Sequence, residues 1–345
     1  MPRVGSIKTT RPAPLSKSVR MLDDLGRWAK RSYIRTRANG FAGASKSLFQ
    51  LYRGFWRLGS FVPRGTNVFD REWDVLVILD SCRVDLMREV ADEYDCIGDV
   101  ASIRSVGSDS PEWIRKTFTE EYEREIGNTA YVTANPFSEG ALPVDRESFA
   151  MLDEVWKYGF DDSIGTIPPE VVTDRAIRVG RTRDVDRVLV HYMQPHHPFI
   201  GEGSPLRDAS SIERSINRRT DGIQAWEPGD IGRDAVWRMY RRGEITRDEL
   251  WDSYSKTLHH VFDSVELLLD NFNADRAVLS SDHGNAMGEW LMYGHSTGFL
   301  HPSVMCVPWV ETSGTDTHTY DPSIQVEDGT DRDVKDVLNA LGYVA

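Results

Sequence analysis

The chain has few cysteines and no long apolar run. Its three cysteines, Cys82, Cys96 and Cys306, are widely separated and form no CxxC pair, so we expect neither a disulfide framework nor a thiolate zinc site. No segment approaches the length of a membrane-spanning helix, and the first residues lack the charged and then apolar pattern of a secretion signal. These absences predict a cytoplasmic protein.

Lysine is also scarce, since only eight of the 41 basic residues are Lys. Residues 1–65 carry 14 basic and two acidic side chains, about +12, whereas the remaining 280 residues carry 27 basic and 52 acidic ones, about −25. An acidic, lysine-poor body is typical of proteins from a high-salt cytoplasm, where a hydrated acidic surface keeps the chain soluble. A halophilic source is therefore a hypothesis, and loss of the fold at low salt would support it.

A basic segment precedes the acidic body. Residues 1–16, with three prolines among small polar residues, predict a disordered tail, and residues 17–65 predict a basic helical extension. Within residues 17–58, apolar and aromatic side chains recur at helical spacing. This pattern favours either packing on the acidic body or peripheral contact with an anionic membrane surface, on its inner face. Binding to nucleic acid is less favoured, because no nucleic-acid motif is present.

The body, residues 70–345, alternates apolar runs with helical periodicities. Strands are predicted at 73–80, 101–105, 130–134, 187–193, 277–281 and 304–310, and helices at 86–94, from about 108, at 248–269 and at 334–341. This alternation predicts an α/β fold with a mostly parallel, doubly wound sheet and helices on both faces. The polar stretch at about 202–245 shows no clear period, and we interpret it as an insertion or lid.

Polar residues cluster at the predicted strand ends, where ligands bind in open parallel sheets. Acids, imidazoles and serines at strand ends or helix starts are Asp80, Ser108, Ser110, Pro195-His196-His197, Asp282-His283 and Gly294-His295. Each has an ordinary structural explanation as a cap, a turn or a strand end. Asp and His are nevertheless costly to bury unpaired, and their joint occurrence indicates a site.

The order and spacing of these motifs resemble the alkaline phosphatase superfamily, and most closely its sulfatase-like branch, which includes sulfatases, phosphonate monoester hydrolases and lipoteichoic acid synthase. The resemblance spans roughly residues 70–312. It rests on an Asp at the first strand end, a serine at a helix start some 30 residues later, Asp-His-Gly after a late strand, and a downstream Gly-His followed by a Val-Pro strand. It implies a hydrolase or transferase of phosphoric or sulfuric esters.

The resemblance also implies a metal site and a nucleophile. Asp80, Asp282 and His283 would hold one divalent ion, either Mn, Zn, Mg or Ca. Ser108 is the expected nucleophile and Ser110 its rival. We prefer Ser108 because it follows a glycine, which lets the backbone approach a ligand closely.

Histidines supply the remaining implied catalytic groups. His196 and His295 would stabilise charge on the substrate oxygens or protonate the leaving group. Substrate contacts are assigned to His197, Ser110 and Arg83.

Two departures from the family pattern argue against formylglycine chemistry and against a second metal ion. Formylglycine sulfatases carry Cys/Ser-x-Pro-x-Arg, whereas residues 108–112 read Ser-Asp-Ser-Pro-Glu, without the arginine. Dinuclear relatives place an Asp where His196 stands and a His four residues later, where this chain has Ile200, so we expect one metal ion.

The expected function is therefore a metal-dependent hydrolase or transferase, for example a phosphodiesterase, that acts on phosphate mono- or diesters through a serine. The expected substrate is a small anionic phosphate or sulfate ester, either free or linked to a lipid or glycan. An arylsulfatase-like enzyme and a catalytically degenerate sulfatase-like module are the alternatives.

Overall fold

The computed structural model describes residues 65–207, 235–324 and 332–341, and parts of 28–56. The chain divides into two units, Met1–Phe55 and Trp56–Ala345. In the first unit, residues 28–34 and 47–52 are helical, within the segments that the sequence predicts as helices. The predicted tail at 1–16 and most of the predicted insertion lie outside the described residues. None of the described helices is both long and apolar enough to span a membrane.

A seven-stranded sheet forms the centre of the second unit. In chain order the strands are β1 Val75–Leu79, β2 Ala101–Arg104, β3 Thr129–Thr133, β4 Met151–Glu154, β5 Arg187–Tyr192, β6 Ala274–Ser280, β7 Ala286–Met287, β8 Tyr293–Gly294 and β9 Cys306–Gly314. The order across the sheet is β2-β9-β6-β1-β5-β3-β4, and β7 and β8 pair separately. The five strands from β6 to β4 run parallel, and β9 is antiparallel to both of its neighbours.

Helices connect these strands. They are α1 Val84–Val90, α2 Ser110–Thr117, α3 Glu123–Gly127, α4 Ser138–Ala141, α5 Pro169–Thr182, α6 Ala235–Arg241, α7 Arg247–Leu269, α8 Pro302–Met305 and α9 Val334–Ala340. Single 3-10 turns lie at Val68–Asp70, Ala91–Glu93, Glu120–Tyr122, Arg146–Ser148, Val155–Lys157 and Glu289–Leu291. The predicted α/β fold is confirmed.

The central strand β1 is buried on both of its faces. Val75 and Val77 pack in a core with residues of α5 and α7, whereas Leu76 and Ile78 pack in a second core that includes Trp113 of α2. Since successive side chains of a strand point to opposite faces, a continuous apolar run is what a sheet covered on both sides requires. This arrangement anchors the strand that ends at the candidate site.

Strand β4 and helix α5 are absent from the sequence prediction. The four residues of β4 include two buried acids, Asp153 and Glu154, which interrupt any apolar pattern. These acids are paired with Arg175 of α5 and with Arg146. Buried acids are tolerated when they are paired in this way, and that pairing depends on tertiary contacts.

Candidate active site

The candidate site lies where four neighbouring parallel strands end. Asp80 follows β1, Asp282 follows β6, Asn135 follows β3, and His196 lies four residues beyond β5. Because β6, β1, β5 and β3 are adjacent and parallel, their carboxyl ends meet at one edge of the sheet. The backbone N–H of His196 donates to the carbonyl of Asp80 at 3.1 Å, which joins two of these strand ends directly.

Asp80, Asp282 and His283, the three predicted metal ligands, come together at this edge. All three are fully buried, and one donor atom from each lies within 4.8 Å of the others. His283 Nε2 lies 3.4 Å from Asp282 Oδ2 and 3.8 Å from Asp80 Oδ1. The structure thus contains a possible Asp-Asp-His metal site, and these three residues are called the metal group below.

The electrostatics of this group suit a cation. Burial, together with repulsion from Asp282, raises the pKa of Asp80 to about 8. Burial opposes protonation of His283, but the carboxylates of Asp282 and Asp80 outweigh it and raise its pKa. Asp282 Oδ2 has no hydrogen-bond partner among the described residues. An unsatisfied carboxylate oxygen beside a second acid and an imidazole is a donor set that zinc or manganese accepts.

Ser110, the rival nucleophile, faces the candidate ligands. Its Oγ lies 3.2 Å from Asp80 Oδ2 and 3.3 Å from His283 Nε2. It is the first residue of α2, and its neighbour Asp109 caps that helix by accepting from the N–H of Glu112 at 2.8 Å.

Ser108, the preferred nucleophile in the sequence analysis, is engaged elsewhere. Its Oγ donates to Glu112 Oε2 at 2.7 Å and accepts from the N–H of Gly298 at 2.6 Å. The glycine argument for Ser108 has another physical explanation. A Cβ at Gly107 would lie 2.3 Å from the backbone nitrogen of Trp113, so this glycine lets helix α2 pack closely. The geometry favours Ser110 over Ser108.

The rings of the four histidines named in the sequence analysis form a chain of contacts. The ring centroids of His283 and His295 are 4.3 Å apart, and those of His295 and His196 are 5.4 Å apart. Asn285 Oδ1 lies 2.9 Å from His295 Nδ1 and orients that ring. The His197 ring stacks on His196 at 4.2 Å. His295 therefore lies beside His283, His196 lies beside His295, and His197 contacts His196.

Arg83, the predicted substrate contact, is paired with protein groups. Its Nε and Nη2 donate to Asp85 at 2.8 and 2.6 Å. Its Nη1 donates to Glu289 at 2.9 Å and to the Asn285 carbonyl at 2.7 Å. These bonds tie Arg83 to the segment that orients His295, because Asn285 belongs to both. The structure gives Arg83 a supporting position and does not show it as an anion contact.

Three further polar residues surround the metal group and escaped the sequence analysis. Ser81 Oγ donates to Asp80 Oδ1 at 2.9 Å, and Asn135 Nδ2 donates to Asp80 Oδ2 at 3.0 Å. His191 lies within β5 with its Nε2 3.9 Å from Asp282 Oδ2, and burial lowers its pKa to about 4. Asn135 ends a predicted strand, so its position was a usable signal. His191, in contrast, lies inside an apolar strand, where the sequence gives no signal of a functional role.

The fold and the site together define an α/β protein with a possible Asp-Asp-His metal site at the carboxyl ends of its parallel strands. No protein-family model and no curated protein matches the sequence. Three similar solved structures are the soluble domain of lipooligosaccharide phosphoethanolamine transferase A from Neisseria meningitidis, a 2-O GAG sulfatase, and an alkaline phosphatase superfamily protein from Vibrio parahaemolyticus.

These similarities are distant. The transferase domain is 16% identical with a TM-score of 0.42, over 71% of this chain and 77% of that one. The sulfatase is 13% identical with a TM-score of 0.44, over 72% and 64%, and the Vibrio protein is 12% identical with a TM-score of 0.34, over 77% and 69%. The integral membrane form of the transferase, 14% identical with a TM-score of 0.44, matches over 88% of this chain and only 60% of its own length. Function is therefore inferred from the chain's own site.

Proposed function

We propose that this chain is a metal-dependent enzyme that hydrolyses or transfers phosphate mono- or diesters, with Ser110 as its nucleophile. One observation carries the proposal. The Ser110 hydroxyl oxygen lies within 3.3 Å of side-chain atoms of both Asp80 and His283, two of the three candidate ligands. A hydroxyl held against a buried cation site is the arrangement that nucleophilic catalysis by serine needs near neutral pH.

Asp80, Asp282 and His283 would hold the ion. When bound, a divalent ion supplies positive charge that favours the ionised serine and the charge that develops on the ester oxygens. Ser81 and Asn135 hold the Asp80 carboxylate from its two oxygens. Such outer contacts fix the direction of a ligand and are as much a part of a metal site as the ligands themselves.

His295 and His196 would supply the proton and further charge stabilisation. Asn285 fixes the His295 ring through Nδ1, so we assign proton transfer to the leaving group to its Nε2. His196, on the other side of His295, is assigned to an oxygen of the ester that does not leave. The Ser110 hydroxyl loses its proton to solvent and its oxygen bonds to phosphorus, while the bond to the leaving oxygen breaks and that oxygen takes the proton from His295 Nε2. Water or an acceptor hydroxyl then takes the phosphoryl group from the serine and gives its proton to His295, and the serine oxygen regains a proton from solvent.

The test compares an aryl phosphomonoester, an aryl phosphodiester and an aryl sulfate, each with added manganese, zinc, magnesium or calcium. We expect turnover of a phosphate ester, and a loss of about a thousandfold or more in Ser110→Ala. Ser108→Ala should retain measurable turnover. Full activity in Ser110→Ala would overturn the nucleophile, and preference for the aryl sulfate would favour the arylsulfatase alternative. A protein that binds no divalent ion would favour the degenerate module.

We also propose that the first unit makes peripheral contact with an anionic membrane surface. Leu48, Leu51 and Phe55 are 68%, 44% and 64% exposed, and their spacing places them along one side of a helix. Residues 1–65, which contain this stripe, have a net charge of about +12. An exposed apolar stripe within a basic segment is the pattern of helices that lie on anionic bilayers.

Co-sedimentation of the full chain with phosphatidylserine vesicles tests this contact. Replacing Leu48 and Phe55 with Gln should release the protein from the vesicles, whereas Gln50→Ala, on the same helix, should not. Unchanged vesicle binding after Leu48 and Phe55 are replaced would contradict the proposal. Such a result would leave packing on the body as the explanation of the segment.

A further inference from the structure

The start of α2 is hydrogen-bonded to a distant loop, residues 296–298, which directly follow His295. The Ser108 hydroxyl accepts from the N–H of Gly298 at 2.6 Å and lies 3.0 Å from the carbonyl of Ser296. The Thr297 hydroxyl donates to Asp109. The residues that make these contacts are 188 to 190 positions apart in the chain. Two segments far apart in sequence are thus joined next to the candidate nucleophile.

A buried carboxylate completes this connection. Glu112 is only 3% exposed, and its Oε2 accepts from the N–H and the hydroxyl of Ser108 at 3.0 and 2.7 Å and from the N–H of Gly298 at 3.3 Å. Lys116 Nζ donates to its Oε1 at 2.8 Å. Burying a carboxylate is costly unless its oxygens are satisfied, and here donors from two segments satisfy them.

Capping of helix α2 does not explain these contacts. Asp109 already caps it, so neither Ser108 nor Glu112 is needed for capping. Helix α7 offers a comparison, because Thr246 and Glu249 form the same hydroxyl-to-carboxylate pattern in a capping box. The hydrogen bonds of that box stay within residues 246–249 and are exposed. At α2 the same chemistry is buried and reaches the loop that carries His295.

We infer that Ser108 and Glu112 are positioning residues that hold the 296–298 loop and thereby place the His295 ring in the candidate active site. This inference rests on the proposed function, in which His295 contacts the substrate. Gly294, which precedes His295, and Gly298, which ends the loop, have positive φ values of +72° and +80°, and glycine leaves the backbone conformationally permissive. A catalytic imidazole must be held within a fraction of an ångström. Hydrogen bonds from Ser108 and Glu112 to the residues that follow His295 are therefore an effective restraint on its position.

Amide hydrogen exchange of the full chain tests the restraint without any substrate. In Glu112→Gln and in Ser108→Ala we expect exchange in residues 294–300 to accelerate by about tenfold or more. In the matched control Thr246→Ala it should stay unchanged there. Unchanged exchange in both Glu112→Gln and Ser108→Ala would overturn the inference, whatever their catalytic activity.

A double-mutant cycle tests the consequence for catalysis. Glu112→Gln should lower kcat on the best phosphate ester by on the order of tenfold, since small misplacements of a catalytic group are costly. In a His295→Ala background the same substitution should have little further effect, because the group that it positions is already gone. Fully additive losses would overturn the positioning role. A wild-type protein that turns over no ester would instead overturn the proposed function, and the exchange result would still decide whether the restraint exists.

Discussion

Asp282 Oδ2 and His191 Nε2 lie 3.9 Å apart, and both atoms are buried without a hydrogen-bond partner among the described residues. The Tyr131 hydroxyl holds the other ring nitrogen of His191 at 2.9 Å. His191 is not part of the group whose donor atoms all lie within 4.8 Å of one another, so it stands behind Asp282. At 3.9 Å the two atoms are beyond hydrogen-bonding distance. An approach of about 1 Å would let the His191 N–H donate to one lone pair of Asp282 Oδ2 and leave the other lone pair for a cation.

We expect His191→Phe to weaken divalent-ion binding by about tenfold to a hundredfold, the usual effect of losing an outer contact to a metal ligand. Phenylalanine keeps the ring and removes the nitrogen, so the core around β5 should survive. Titration calorimetry with manganese or zinc measures the change. His260→Phe, on the partly exposed side of α7, is the control. An unaltered affinity in His191→Phe would contradict this role.

Replacing a candidate ligand should affect the stability of the metal-bound protein but not that of the metal-free protein. Without an ion, burial and repulsion from Asp282 disfavour the charged Asp80 carboxylate, so Asp80→Asn should unfold no more easily than the wild type in the presence of a chelator. At an ion concentration of about 100 times Kd, the wild type should gain about 2.7 kcal/mol of unfolding free energy and the variant much less. Thermal melts with and without chelator measure both. Equal gains would show that the ion binds elsewhere.

The proximity of Asp80, Asp282 and His283 could be predicted from the sequence, because each residue follows a strand that reads as an apolar run. Asp80 and the Asp282-His283 pair are about 200 positions apart, but β1 pairs directly with β6, and parallel neighbours bring their carboxyl ends together. The rule that functional side chains gather at strand ends therefore predicted that these residues lie close together, whereas their role as metal ligands comes from the family resemblance and stays a prediction. The same rule also applied to Asn135, which the sequence analysis passed over.

Which of the two serines faces Asp80 could not be read from the sequence. Ser108 and Ser110 are two residues apart at one helix start, and which hydroxyl faces Asp80 depends on how α2 packs. Gly107 lets Trp113 approach its backbone, and this contact directs Ser108 toward the 296–298 loop. The same limitation applies to β4, whose buried Asp153 becomes intelligible only with its partner, Arg175.

Gly284 is required for a close approach of two backbones beside the metal group. Its N–H donates to the Val304 carbonyl at 2.8 Å, and a Cβ there would lie 2.3 Å from the Ser303 carbonyl oxygen. Gly284→Ala should therefore push the two segments apart and lower the unfolding free energy by about 1–3 kcal/mol, as overpacking does. Denaturant unfolding measures the loss. Gly98→Ala, where a Cβ meets nothing within 4 Å, should change stability by less than about 0.5 kcal/mol.

Asp316 links the segment after β9 to helix α5 through a bidentate ion pair. Arg181 donates to its two oxygens at 2.8 and 2.7 Å, and the N–H of His318 donates at 3.0 Å. The Arg181 hydrogen bonds, more than any other cause, lower the pKa of Asp316 to about 2. Because an unfolded Asp has a pKa of about 3.9, the pair stabilises the fold above that pH and is lost as the pH falls through 2.

Asp316→Asn should therefore lower the unfolding free energy at pH 7 by about 1 kcal/mol, the upper end for pairs near the surface. The difference from the wild type should shrink as the pH falls from about 4 to about 2, because the wild-type carboxylate then becomes protonated and loses its charge. Urea unfolding at a series of pH values measures it, with the exposed Asp275→Asn as the control. A difference that stays constant across this range would mean that Asp316 acts through shape or hydrogen bonding and not through its charge.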